Sequence, residues 1–161
     1  MNPRAEELIS SLKLSPHPEG GYYREVFRSR KRVSHPDAGE VRPALTGIYF
    51  LLADGQVSRW HRCLSDEIWH YHEGGPLELR TAGPGLERIE RRLLGPPGRG
   101  GEPILAIEAG LWLTARSTED YTLTGCAVGP GFEFRDLEFL SDFPKEAARL
   151  AELHPETAQF I

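Results

Sequence analysis

Hydrophobic positions follow two periods along this chain. Near the start, Ala5, Leu8, Ile9 and Leu12 recur at helical spacing and share one face. Asn2 can cap that helix, and Pro3 suits its first position. Pro16, His17 and Pro18 end it, and Gly20-Gly21 turns the chain. From Tyr22 onward the pattern changes to strands. They are expected at Tyr22–Arg30, Ala44–Leu52, Ser58–His61, Glu67–His72, Pro76–Thr81, Leu86–Leu94, Ile104–Ile107, Leu111–Ala115, Tyr121–Val128 and Phe132–Leu140. Gly, Pro, Asp and Ser punctuate them at short intervals, as in sandwiches and barrels. Helical spacing returns near Pro144, after Asp142, with Ala147, Leu150 and Ala151 facing inward. The prediction is an all-β domain over residues 1–161, with a barrel core at about 20–141 and a short helix at each end.

Composition narrows the function classes. The 161 residues are enough to bury a core. A net charge of -5, from 24 acidic and 19 basic side chains, argues against nucleic acid as a partner. The basic clusters at Arg28–Arg32 and at Arg88, Arg91 and Arg92 read as solvated strand edges and loops. Cys63 and Cys126 are too few for a disulfide framework and read as thiols in a reducing compartment. The segment MNPRAEELISS lacks a signal-peptide core, and no window approaches the roughly 18 apolar residues of a membrane span. A cytoplasmic protein with no membrane partner is expected. The run Gly95–Gly101 reads as a mobile hairpin loop, because neither Lys-Ser/Thr nor a helix follows it to make a phosphate cradle.

The chemistry concentrates between Ser58 and Gly75. Alternation puts Arg59 and His61 on one face of a first strand. In the next strand Glu67, Trp69 and Tyr71 share a face, with Ile68, His70 and His72 opposite. If the two strands form a hairpin closing near Leu64-Ser65, His61 and Glu67 meet across it. An imidazole beside a carboxylate can bind a metal or act as an oriented base. Trp69 and Tyr71 would wall such a site. Arg62 can pair with Asp66 or bind an anionic ligand. His70-Tyr71-His72 is a second His-x-His, but Gly74-Gly75-Pro76 would break the strand before Glu78.

These residues resemble the motifs of the cupins. Arg59-Trp60-His61, Glu67 and Gly74 fit the first cupin motif, with Arg59 in place of its first His. Glu108-Ala109-Gly110-Leu111-Trp112-Leu113 fits the end of the second, with Leu113 where a metal-binding His would stand. The finer resemblance is to the Cupin_5 group. It is carried by Leu14, His17-Pro18-Glu19-Gly20-Gly21-Tyr22-Tyr23-Arg24-Glu25, Ser58 with His61-Arg62, Asp66-Glu67 with Trp69-His70, Ala109-Gly110 with Trp112, and Gly129-Pro130-Gly131-Phe132-Glu133-Phe134. The resemblance implies a double-stranded β-helix, or cupin jelly roll, that forms a homodimer. Tyr22–Arg30 or Ala44–Leu52 is expected near the interface, because long apolar strands need covering.

The expected pocket has His61 and Glu67 as its reactive pair. Its ligand contacts are expected from Glu19, Tyr23, Ser58, Arg59, Arg62, Trp69, Tyr71, Phe132 and Phe134. Three functions stay open. One is a metal-independent sugar or nucleotide-sugar epimerase or isomerase. There His61 is the base, oriented by Glu67 or Asp66, while Arg59, Arg62 or Tyr71 holds an oxyanion or a phosphate. Another is a non-catalytic pocket for a small polar molecule. The third is a metal-dependent cupin oxygenase or isomerase. No cofactor and no tightly bound metal is expected, since Arg59 and Leu113 replace two of the usual ligands, although His17 or His70 could approach.

Overall fold

The structure is a computed structural model that describes residues 1–98 and 100–161. Helix α1 (Pro3–Ser11) starts where Asn2 accepts the Arg4 amide at 2.9 Å. Among the described residues thirteen strands follow, β1 to β13: Ser15–Pro16, Tyr22–Arg28, Arg32–Ser34, Val41–Pro43, Thr46–Ala53, Val57–Arg62, Asp66–Gly74, Leu77–Ala82, Ile89–Leu94, Ile104–Ile107, Trp112–Ser117, Tyr121–Gly129 and Glu138–Phe139. Helix α2 (Pro144–Leu153) and a 3-10 turn at Pro155–Phe160 come last. Among the described residues no helix is long and apolar enough to cross a membrane.

Two antiparallel sheets face each other. One is six-stranded in the order β1-β2-β5-β12-β7-β10, and the other five-stranded in the order β13-β6-β11-β8-β9. Their inner faces bury Phe50, Leu52, Trp69, Leu79, Leu113 and Val128 in a common core. On the outer face of the five-stranded sheet, Trp60 and Trp112 are covered by Leu140, Leu150 and Phe160. On the six-stranded sheet, α1 sets Ala5 and Leu8 against Leu51, Ala53 and Leu123. Each large apolar side chain buried in this way contributes about 2–3 kcal/mol.

The differences from the expected strands have physical causes. Leu86–Leu94 forms a strand only from Ile89, because Leu86 sits in a turn at φ +59° and is fully buried in the outer core. Phe132–Leu140 is mostly not a strand. Phe134–Asp136 is a 3-10 turn, and only Glu138–Phe139 pairs with β6. Within it the buried Asp136 carboxylate accepts from buried Arg42 at 2.9 Å, which ties the turn to β4. The β3–β4 pair was not expected, and its Val33 and Val41 are exposed, so it leaves no apolar signal. The expected hairpin of β6 with β7 does not form, because these strands lie in opposite sheets. Nor does Gly95–Gly101 close a hairpin. It carries the chain from β9 in one sheet to β10 in the other, and Arg99 within it lies outside the described residues.

Candidate functional site

A β-bulge places His61. On β11, Leu113 is opposite His61 and Ala115 is opposite Ser58, so Arg59 and Trp60 together face Thr114 alone. Ser58 and His61 therefore both point into the barrel, while Trp60 goes to the outer core. Arg59 is turned out, contrary to simple alternation. Its Nη2 donates to the Pro18 carbonyl at 2.9 Å, and its guanidinium lies 4.4 Å above the Phe139 ring. The His61 ring is then fixed. Nδ1 is 2.7 Å from the Arg59 carbonyl, which can only accept, so Nδ1 carries a proton. Nε2 lies 3.2 Å from Glu19 Oε2.

Glu19 is delivered by a tight turn. The His17 and Gly21 main chains bond at 3.0 Å, the Gly20 amide donates to His17 O at 3.0 Å, and the Arg59 amide docks on Glu19 O at 2.8 Å. The turn lies so close to β6 that a Cβ on Gly20 would be 2.1 Å from Val57 O. The Glu19 amide in turn donates to His17 Nδ1 at 3.3 Å, leaving the neutral His17 ring protonated at Nε2. Glu67 enters from the opposite sheet, and its Oε2 accepts from Trp69 Nε1 at 2.9 Å and from Cys126 Sγ at 3.5 Å.

Burial dominates the electrostatics. It pushes the carboxyls of Glu19 and Glu67 up, with His61 pulling both back down. It pushes His17 down to about 4, so this imidazole is neutral at physiological pH. The Cys63 and Cys126 thiols are pushed well up by burial, then by Glu67, and stay protonated.

These groups line a cavity of about 100 Å³ that opens to the surface. Of the expected site residues, the structure gathers His61, Glu67, Glu19, Tyr23, Trp69, Phe132 and Phe134 there. Ser58 stands behind His61, 3.4 Å from Nδ1, and is fully buried. Arg62 is not brought in. Its Nε donates to Glu138 at 2.6 Å, and its guanidinium lies 4.4 Å above Trp112. Tyr71 is not brought in either, since its hydroxyl donates to Gly74 O at 2.6 Å. Asp66 does not orient His61, because its carboxylate accepts the Ala109 amide at 2.8 Å. His70 and His72 face outward, with Ile68, from the six-stranded sheet.

Sequence reasoning missed Glu25, Thr46, Ile48, Cys63, Cys126 and Val128 in the lining. Alternation does put Thr46 with Ile48, and Cys126 with Val128, on one face of their strands. What it lacks is which end of the barrel opens. The residues present do not fit the three-imidazole centre of metal cupins: Leu113 lies beside His61 in the ladder, and the bulge points Arg59 away. Among the described residues no three or more His, Cys, Asp or Glu side chains converge as a metal site.

Two antiparallel sheets closed around a cavity with an imidazole and carboxyls in its wall define a cupin barrel. Solved structures agree. A hypothetical protein from Leishmania major is 36% identical, with a TM-score of 0.82, over 98% of this chain and 96% of its own. A protein from Shewanella oneidensis is 32% identical, with a TM-score of 0.79, over 96% of this chain and 92% of its own. A cupin 2 conserved barrel domain protein from Rhodopseudomonas palustris shares the fold at 16% identity and a TM-score of 0.51, over 83% of this chain and 79% of its own. The chain belongs to the Cupin_5 family of the cupin superfamily (DUF985), whose sequence profile matches residues 6–140. No match was found among curated proteins.

Proposed function

We propose that this cupin moves a proton on a small molecule without a metal, using His61 and Glu19 as one acid–base unit. The observation that carries the reading is the fixed imidazole, with Nδ1 committed to Arg59 O and Nε2 facing Glu19 at 3.2 Å in the cavity wall. One proton between Nε2 and Oε2 makes the pair an acid. Its loss makes the pair a base, held in place by the backbone. Glu67, from the opposite sheet, has a carboxyl pushed up by burial and supplies a second proton site for isomerisation or epimerisation. Arg59 and Arg62 are engaged outside the cavity, and no described Lys or Arg lines it. The reacting end of the substrate is therefore unphosphorylated, which favours a free sugar or another small carbonyl compound over a sugar phosphate.

Solvent-hydrogen exchange tests the reading. Incubated in D2O with a panel of small sugars and carbonyl compounds, the protein should wash deuterium into one carbon of its substrate. His61→Asn should slow this about 10²-fold. A compound that raises the melting temperature yet never exchanges would instead establish the second reading, a non-catalytic binding pocket. That reading is favoured by the protein donors already bonded to Glu67.

We propose in addition that the chain pairs with a second copy of itself through the outer face of the six-stranded sheet. Phe27, Ile68 and Ile104 are exposed there at 52%, 43% and 54%, beside the small residues Gly47, Gly125 and Ala127, with the His72 ring lying over Gly125. Light scattering should give twice the chain mass of 18.1 kDa. The double variant Ile68→Asp, Ile104→Glu should halve it. A wild-type protein at the single-chain mass would refute the pairing.

A further inference from the structure

We infer that the cavity takes a small organic cation, the alkylammonium end of an amine. This rests on the reading above that the cavity is the ligand site, and it concerns only the charge class of that ligand.

The first observation is a box of rings. His17 meets Tyr23 at 4.6 Å and 88°, Tyr23 meets Phe134 at 6.1 Å and 78°, and Phe132 meets Phe134 at 5.1 Å and 80°. These contacts gather the four rings into one aromatic wall of the cavity. The face of an aromatic ring carries the negative lobe of its quadrupole and attracts cations. All four rings line the cavity.

The second observation is uncompensated acidity. Glu19, Glu25 and Glu67 line the same cavity, and no described Lys or Arg does. The Arg28 guanidinium is held by residues of the rim. It bonds Glu25 at 2.9 and 2.8 Å, Glu133 at 3.1 Å and the Phe132 carbonyl at 3.1 Å. Arg28 offsets Glu25, and Arg59, from outside the cavity, acts in small part on Glu19. His17 is neutral, and burial disfavours the Glu67 carboxylate, with only His61 drawing it back, so a cation placed beside Glu67 would relieve that cost. An anionic ligand would meet several carboxyls, and a neutral one can hydrogen-bond to them but gains no charge attraction from the carboxyls or from the ring faces. A cation gains from both. The size agrees: about 100 Å³ equals roughly three waters at ~30 Å³ each, enough for a methylated ammonium group. The rest of such a ligand would leave past Phe134, which is 49% exposed.

The test uses three probes of one shape. Choline carries the cation, 3,3-dimethylbutan-1-ol replaces its nitrogen with carbon, and 3,3-dimethylbutanoate carries the opposite charge. Calorimetric titration should show choline binding at least about tenfold tighter than the alcohol, with the carboxylate weakest. Phe134→Ala changes an exposed ring and should leave folding intact while reducing that preference. Glu67→Gln, checked by its melting temperature, should reduce it further. Equal affinity for choline and the alcohol, tighter binding of the carboxylate, or no binding of choline at millimolar concentration would each overturn the inference. The two proposals fail separately. Cation preference without solvent-hydrogen exchange in any amine sinks only the acid–base reading, and exchange on a neutral compound without cation preference sinks only this one.

Discussion

Replacing Gly20 by alanine should cost roughly 3 kcal/mol or more of folding stability, and the site should be lost before the barrel is. Gly20 sits at φ +114°, a conformation that costs an L residue about 1–2 kcal/mol. The new methyl would also fall 2.1 Å from Val57 O, on the backbone of β6, where no side chain can move aside. Relieving that contact means lifting the His17–Gly21 turn off the strand, at a further ~1–3 kcal/mol. The turn carries Glu19, so the His61–Glu19 contact breaks with it. Gly39→Ala is the control. That residue also has positive φ, at +65°, but a Cβ there meets nothing within 4 Å, so only the conformational cost of about 1 kcal/mol remains. Urea unfolding of both variants decides the matter. A Gly20→Ala protein no less stable than Gly39→Ala would mean that the turn does not rest on β6.

The second large effect is acid lability from His17. Burial lowers this imidazole from the ordinary 6.5 to about 4, so the unfolded chain takes up its proton before the folded one does. The stability it contributes is whole above pH 6.5 and disappears as the pH falls towards 4. Over the whole interval the loss is about 3 kcal/mol. Glu19 and Glu67 act with the opposite sign. Their carboxyls are raised in the fold, so they weaken the folded state as pH rises past the ordinary carboxyl value and return stability on acidification. The wild-type profile is the difference of these effects, and His17→Gln separates them. Its stability, measured by chemical unfolding from about pH 4 to pH 7, should lose the acid-side fall and keep the carboxyl contribution. Parallel profiles for the two proteins would show that His17 is not buried as described.

Much of the architecture was legible, but not how its strands meet. The cap and spacing of α1 and the apolar runs of β5 and β12 carry strong local signals, and these elements lie within a few residues of expectation. Alternation, however, cannot tell a hairpin from a crossing between sheets, so it suggests a β6–β7 pair where the two strands lie in opposite sheets. Nor can it show a bulge. One extra residue in β6 turned Arg59 outward and kept Ser58 inward, which removed a cation from the expected pocket. The turn at Phe134–Asp136 depends on Arg42, far away in the chain, and no window around Phe132 reveals that partner. His61 and Glu67 could be picked out by their motif frame. That His61 would face Glu19 could not, because the contact is made by docking of one segment on another.

His61 and Glu67 are close in the chain but belong to opposite sheets, so no single loop sets the gap between them. That gap is a reading of how firmly the two sheets press together. The side chains that act as spacers, Phe50, Leu79, Leu113 and Val128, belong to the common core. On the proposed acid–base reading, trimming one of them, even far from the cavity mouth, changes the distance between the two proton sites that would flank a substrate. Proton-transfer rates vary steeply with that distance, while sheet packing yields only gradually. If the proposed exchange is found, its rate would serve as a calliper on the core, and random mutagenesis should find rate-altering positions among the buried spacers as often as around the cavity itself.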